Sequence, residues 1–108
     1  MPMVSKLAWD NPYYSFGEMK RLAPGIKGHL IDTGHKGVYI PTLFSEKQGN
    51  GTAGAYIDSL KEAYAQIRFP NVLSPILQGM LKRRGFYLKR EYVPILKTHA
   101  DVYVWRRK

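Results

Sequence analysis

The chain has 108 residues, a formal net charge of +9 and no cysteine. That length holds one compact domain rather than two, and 44% hydrophobic residues supply a modest core. The missing cysteine excludes disulfide scaffolds, cysteine-type zinc knuckles and thiol catalysis; no apolar run reaches the length of a membrane span; and the surplus of cations points to anionic partners.

In chain order, residues 1–14 read as irregular, punctuated by Pro2, Asn11 and Pro12. They lack the continuous apolar middle and the small-residue cleavage site of a signal peptide, so the expectation is a soluble, cytoplasmic protein with no membrane partner. Ser15 is placed to cap a short helix, SFGEMKRLA, with Glu18 in its first turn, Lys20 and Arg21 near its end, and Pro24-Gly25 as its stop. Residues 26–33 (IKGHLIDT) and 38–44 (VYIPTLF) read as two strands, and Gly34-His35-Lys36-Gly37 joins them as a hairpin. Pro41 removes a backbone donor from the second strand, which marks an edge, a bulge or a point where a neighbouring strand departs.

A polar stretch with three glycines, SEKQGNGTAGAY at 45–56, separates that strand from an amphipathic helix. Ala53, Tyr56, Ile57, Leu60, Ala63 and Tyr64 recur there at helical spacing. Residues 66–69 (QIRF) form a short strand closed by Pro70-Asn71. Ser74 as N-cap and Pro75 at the first helical position open a second helix through Leu77, Met80, Leu81 and Arg84, which ends at Gly85. Residues 86–93 and 101–105 are the last two strands. The expectation is one mixed α/β (α+β) domain spanning 1–108.

Gly49, Gly51 and Gly54 satisfy G-x-G-x-x-G, but the dinucleotide reading fails. That fingerprint follows its strand directly and needs an acidic residue about 20 positions on for the ribose. Here 45–48 intervene, and no acid stands near position 74. The overlapping pattern Q-x-x-G-x-A, from Gln48 to Ala53, sits between a strand and a helix. A helix N-terminus carries unpaired N–H groups and a partial positive charge, so it can hold a pyrophosphate, and a glycine there removes the side chain that would block the approach.

With Arg83-Arg84-Gly85-Phe86 opening a later strand after the helix from Ser74, this pattern resembles the general N-acetyltransferase (GNAT) superfamily over roughly residues 38–87. The resemblance implies a central mixed sheet of five to six strands flanked by helices, with acetyl-CoA as the acyl donor and an amine, on a small molecule or a protein, as the acceptor. Leu43, Phe44 and Ser45 would pair with the pantetheine arm. Gln48, Gly49, Asn50, Gly51, Thr52 and Ala53 would hold the pyrophosphate, and Ser74 falls where the family often has a cofactor-contacting asparagine. Leu81 falls where the family often has a tyrosine that protonates the leaving thiolate, so Tyr87, Tyr92 and Ser74 are the substitutes. Candidates for the general base are Asp32, His35, Tyr39 and Glu46.

The first expected strand begins at Ile26, which leaves the family's N-terminal strand-and-helix region abbreviated. Compact chains of this kind resemble proteins of small genomes such as those of bacteriophages. The second expectation is therefore a catalytically inactive module of the same fold that assembles in a virion, against a host protein or with its own copies. The third is a nucleic-acid binder, motivated by charge and interleaved aromatics but lacking a recognised motif. His29, His35 and His99 have no metal-ligand spacing, and no metal is assigned.

Overall fold

The computed structural model describes residues 19–46, 51–94 and 96–108. Six strands form one mixed sheet in the order β1-β2-β3-β4-β6-β5. They are β1 (Lys20–Ala23), β2 (Ile26–Gly34), β3 (Gly37–Ser45), β4 (Gln66–Pro70), β5 (Tyr87–Val93) and β6 (Thr98–Arg106). Two helices complete the described fold, α1 (Thr52–Ala63) between β3 and β4, and α2 (Pro75–Arg83) between β4 and β5.

The helix expected over SFGEMKRLA is corrected in its described part: Lys20–Ala23 is a strand, antiparallel to β2, with Ala23 opposite Ile26. Its first residues, among them Ser15 and Glu18, lie outside the described residues. Pro24-Gly25 is a two-residue hairpin turn rather than a helix stop. Gly25 has φ +79, the left-handed value that the second central position of a type II turn requires. Backbone pairing to β2 outweighs the weak local preference of KRLA for helix. The β2–β3 connection turns through His35 (φ 52) and Lys36 (φ 59), both left-handed, which matches the twist of a tight antiparallel hairpin.

Strand alternation sorts the apolar residues to two faces. Val38 and Ile40 of β3, Ile67 and Phe69 of β4 and Tyr103 of β6 face α1 and α2, where they pack on Ile57, Leu60 and Leu81. Phe69 and Phe86 meet edge to face, with centroids 5.7 Å apart. On the other face Ile31, Tyr39, Val93, Ala100, Val102 and Val104 form a second buried cluster. α1 lies across β2, β3 and β4.

Arg84 ties the helices together. Its Nε meets Asp58 Oδ1 of α1 at 2.9 Å, and its guanidinium lies where a side chain on Gly54 would otherwise be. Arg107 donates to the carbonyls of Lys61, Glu62 and Tyr64 at the C-terminal end of α1, where carbonyls lack helical partners. Lys61 donates to the Arg84 carbonyl and sits over the Trp105 ring. The basic clusters at 82–84 and 106–108 are thus partly consumed in holding α1 in place.

Candidate functional site

β3 and β4 are parallel neighbours at only three positions: Gly37 with Gln66, Val38 with Ile67, and Tyr39 with Arg68. Beyond them the strands separate. β3 continues to Ser45 against β2, while β4 continues to Pro70 against β6. From Ile40 to Ser45, β3 has no strand partner on the β4 side among the described residues, a span of roughly 17 Å at the usual rise.

Two local features open this fork. Pro41 has no N–H to give a partner strand. The β2–β3 register also slips between the His29–Thr42 and Ile31–Tyr39 pairs, so β3 carries one extra residue at Ile40–Pro41, a bulge that bends it. The sequence reading of Pro41 as a bulge and as a departure point describes both. His29 Nδ1 and Thr42 Oγ1 are hydrogen-bonded across the register just past the bulge.

Leu43, Phe44 and Ser45 form the β3 flank of the fork, and Phe44 is 47% exposed despite its size. The chain re-enters the described structure at Gly51, the N-cap of α1, with φ 78 and no side chain to cap the first turn. No acidic residue occupies that turn. Thr52 and Ala53 follow as its first residues, and Ala53 is buried. A cavity of about 420 Å³ lies beside this turn, lined by Gly51, Thr52, Tyr56 and Ser59 of α1 and by Pro24 and Ile26. It is on the β1–β2 side of α1, whereas the fork is on the β4 side. Gln48, Gly49 and Asn50 lie outside the described residues.

Ser74 begins α2, and its Oγ accepts a hydrogen bond from the Leu77 N–H at 3.3 Å. Asn71, in the β4–α2 connection beside the fork, takes a left-handed φ of 55, and its N–H is held by the Asp101 carbonyl. Leu81 is fully buried in the core, so no proton donor stands at that position.

The acid–base candidates are scattered. His35 is exposed in the β2–β3 turn, at the other end of β3 from Ser45, roughly 26 Å away along the strand. Asp32 Oδ1 accepts from the Gly34 N–H and shapes that same turn. Glu46 follows β3 and pairs with Arg21 at 2.8 Å. Tyr87 and Tyr92 are exposed on β5, the outer strand of the other edge.

The group that the structure does bring to the apex of the fork is Tyr39 with Arg68. Arg68 is held by Glu91 Oε1 at 3.0 Å and Gln66 Oε1 at 2.6 Å, and its guanidinium lies 6.0 Å from the centre of the Tyr39 ring. The Arg68–Glu91 pair is largely shielded from water. A cavity of about 390 Å³ opens here between Thr33, Tyr39, Arg68, Glu91 and Tyr92. Burial first, then the Glu91 carboxylate, push the Tyr39 phenol up to about 12 against the opposing pull of Arg68. A phenol held so high stays protonated at neutral pH: it can donate a hydrogen bond, but it is a weaker acid than free tyrosine and does not serve as a base. Sequence patterns missed Arg68 and Glu91 because they lie on strands far apart in the chain, and only the β4-β6-β5 order brings them together.

No protein-family model matches the sequence, and no curated protein matches it. Among solved structures, the chain is similar to one from the crystal structure of the NatC complex bound to Gag peptide and CoA, with a TM-score of 0.51 at 16% sequence identity. The match covers 82% of this chain and 67% of that one. At that identity the likeness is one of fold, and the fold of the described residues, a six-stranded mixed sheet flanked by two helices, is GNAT-like.

Proposed function

We propose that this protein binds an acyl-coenzyme A in the β3–β4 fork and transfers its acetyl group to an amine. The observation that carries this reading is the fork itself, opened by Pro41 and the bulge, with α1 starting at Gly51 shortly after its β3 flank. The structural neighbour, determined with CoA bound, supports it.

The residues present fit such a ligand. β3 beyond Tyr39 offers backbone to an extended arm, as in strand addition. The first turn of α1 offers N–H groups with a partial positive charge and no opposing carboxylate. Leu43, Phe44 and Ser45 would hold the arm, with Thr52, Ala53 and the loop from Gln48 to Gly51 at the pyrophosphate and Ser74 at the rim. When bound, the thioester supplies an activated acyl group with a good leaving thiolate. Orientation of the amine against it is the main contribution of the chain. Tyr39, fixed beside Arg68 at the apex, would stabilise developing negative charge by donating a hydrogen bond rather than by giving up its proton.

A second reading is favoured by one observation: Leu81 is buried in the core, so the position expected to carry the acid has none. In that reading the fold binds or assembles without turnover.

Calorimetric titration with acetyl-CoA, followed by amide NMR, tests both. The expected result is binding that shifts Leu43, Phe44 and Thr52 and is lost in Gly51→Trp while the fold persists. No heat and no thermal shift at millimolar acetyl-CoA would end the proposal. Binding without release of free thiol across a panel of amines would select the second reading.

A further inference from the structure

β5 is the last strand of the sheet, and among the described residues only β6 pairs with it. An outer strand presents a row of backbone donors and acceptors that can template another chain. Three large hydrophobic side chains of this strand, Tyr87, Leu88 and Tyr92, are exposed. Pairing with β6 sets Leu88 opposite Tyr103 and Arg90 opposite Asp101, on the face that carries α2, and leaves Tyr87, Lys89 and Glu91 on the other face.

Between β5 and α2 runs a cleft of about 630 Å³, within the size range of binding clefts. Its apolar walls include Leu73, Leu88 and Leu96, and its charged groups are Lys82, Arg90 and Asp101. Leu73 is 80% exposed at its lip. An edge that serves no purpose is usually blunted by charge. The charges of β5 are Lys89, Arg90 and Glu91; Glu91 is largely shielded in its pair with Arg68, so the charge that the strand exposes is cationic and favours an acidic chain over a basic one.

We propose that β5 and this cleft bind an extended acidic segment of another protein, added to the sheet as a further strand. Main-chain hydrogen bonds to β5 would supply affinity, and alternate side chains would enter the cleft. Carboxylates at the middle of the segment would face Lys89 and Arg90, with aliphatic residues against Leu88 and Tyr92. The present partners of these cations are weak competitors. Arg90 meets Asp101 at 3.3 Å with both side chains mostly in water, and Lys89 meets Glu91 at 3.5 Å. A second copy of this chain is the poorer occupant, because each copy carries a formal charge of +9 and would set Lys89 and Arg90 near their own counterparts. This inference is independent of acyl transfer.

The test uses the full chain and the capped heptapeptide TVTEEVT, with TVTKKVT as control, by calorimetry and amide hydrogen exchange. The expected result is binding of the acidic peptide alone, weakening with added salt, with new protection confined to β5 amides. The double variant Lys89→Glu, Arg90→Glu should weaken binding about tenfold or more and admit the basic peptide instead, while Lys20→Glu, on the opposite edge, leaves affinity unchanged. Absence of binding at millimolar peptide, or protection at α1 instead of β5, overturns the proposal. So does protection of β5 that rises with protein concentration alone, which would identify a second copy as the occupant.

Discussion

The sheet consists of two antiparallel halves that differ in regularity. β1-β2-β3 carries register slips at both of its pairings, and one of them is the bulge beside Pro41. β4-β6-β5 runs in unbroken register from Gln66 to Pro70 and from Tyr87 to Val93. Three parallel pairs join the halves, and the fork opens directly beyond them. The irregular half thus borders the candidate site, while the regular half forms a rigid wall to it. Bulges commonly re-aim a strand next to a functional site, and a precise site needs a stiff support.

With so short a ladder, the junction between the halves must be held mainly by side chains, and Phe69 is the strongest test. It is buried among Val38 and Ile40 of one half and Tyr103 and Phe86 of the other side. Phe69→Ala is expected to cost roughly 3–5 kcal/mol in urea unfolding. Phe44→Ala, on the open flank of the fork, should cost less than about 1 kcal/mol. Equal effects would mean that the fork is packed as tightly as the junction.

Tyr39 occupies the last paired position and reports the junction through pH. Its phenol is pushed from 10.0 to about 12, chiefly by burial. The folded protein therefore keeps a proton that the unfolded chain releases near pH 10. The associated stability is complete below pH 10 and is lost as pH rises through 12. Over that window the loss should be roughly 2–3 kcal/mol, and Tyr39→Phe should remove that part of the alkaline slope. Burial also raises Tyr56 and Tyr64, so a smaller slope remains in the variant. An unchanged alkaline profile in Tyr39→Phe would show that this ring is not sealed at the junction.

In both halves the features encoded locally were legible in the sequence, and those that depend on pairing between distant segments were not. Ser74-Pro75 announced α2 because a cap and a pre-set φ are local properties. The 26–44 hairpin was visible from β-branched runs flanking a turn, and Pro41 marked an edge, a bulge or a departing neighbour because a missing donor is local too. Lys20–Ala23 was misread because KRLA is a good helix sequence, and only its partner in β2 makes it a strand. The Pro-Gly that joins those two strands reads equally as a helix stop until the pairing is known. The β6 strand extends to Thr98, beyond the expected start at 101, for the same reason: Val93 and Tyr92 of β5 pair with its first residues. Around the candidate site, the strand through Ser45 and the helix that follows it were readable as elements, whereas the Tyr39–Arg68–Glu91 group was not. Its members are distant in sequence and converge through strand order alone.

The two helix starts set the irregular and regular sides apart on the smallest scale. α2 begins with a side-chain cap from Ser74 to the Leu77 N–H, and α1 begins at Gly51 with none. Gly51→Ala should cost roughly 1–2 kcal/mol, because φ +78 is a strained value for any residue with a Cβ. Among the described residues, no atom beyond the adjoining chain lies within 4 Å of where that Cβ would be, so the cost is conformational rather than steric. Gly51→Asn should recover part of it, since asparagine tolerates the left-handed region. Ser74→Ala should cost about 1 kcal/mol by leaving the Leu77 N–H without its side-chain acceptor. Thermal unfolding of the three variants separates the two causes. If the asparagine and alanine variants at Gly51 lose equally, the start of α1 is held by contacts and not by its backbone angle, and the open first turn loses its explanation.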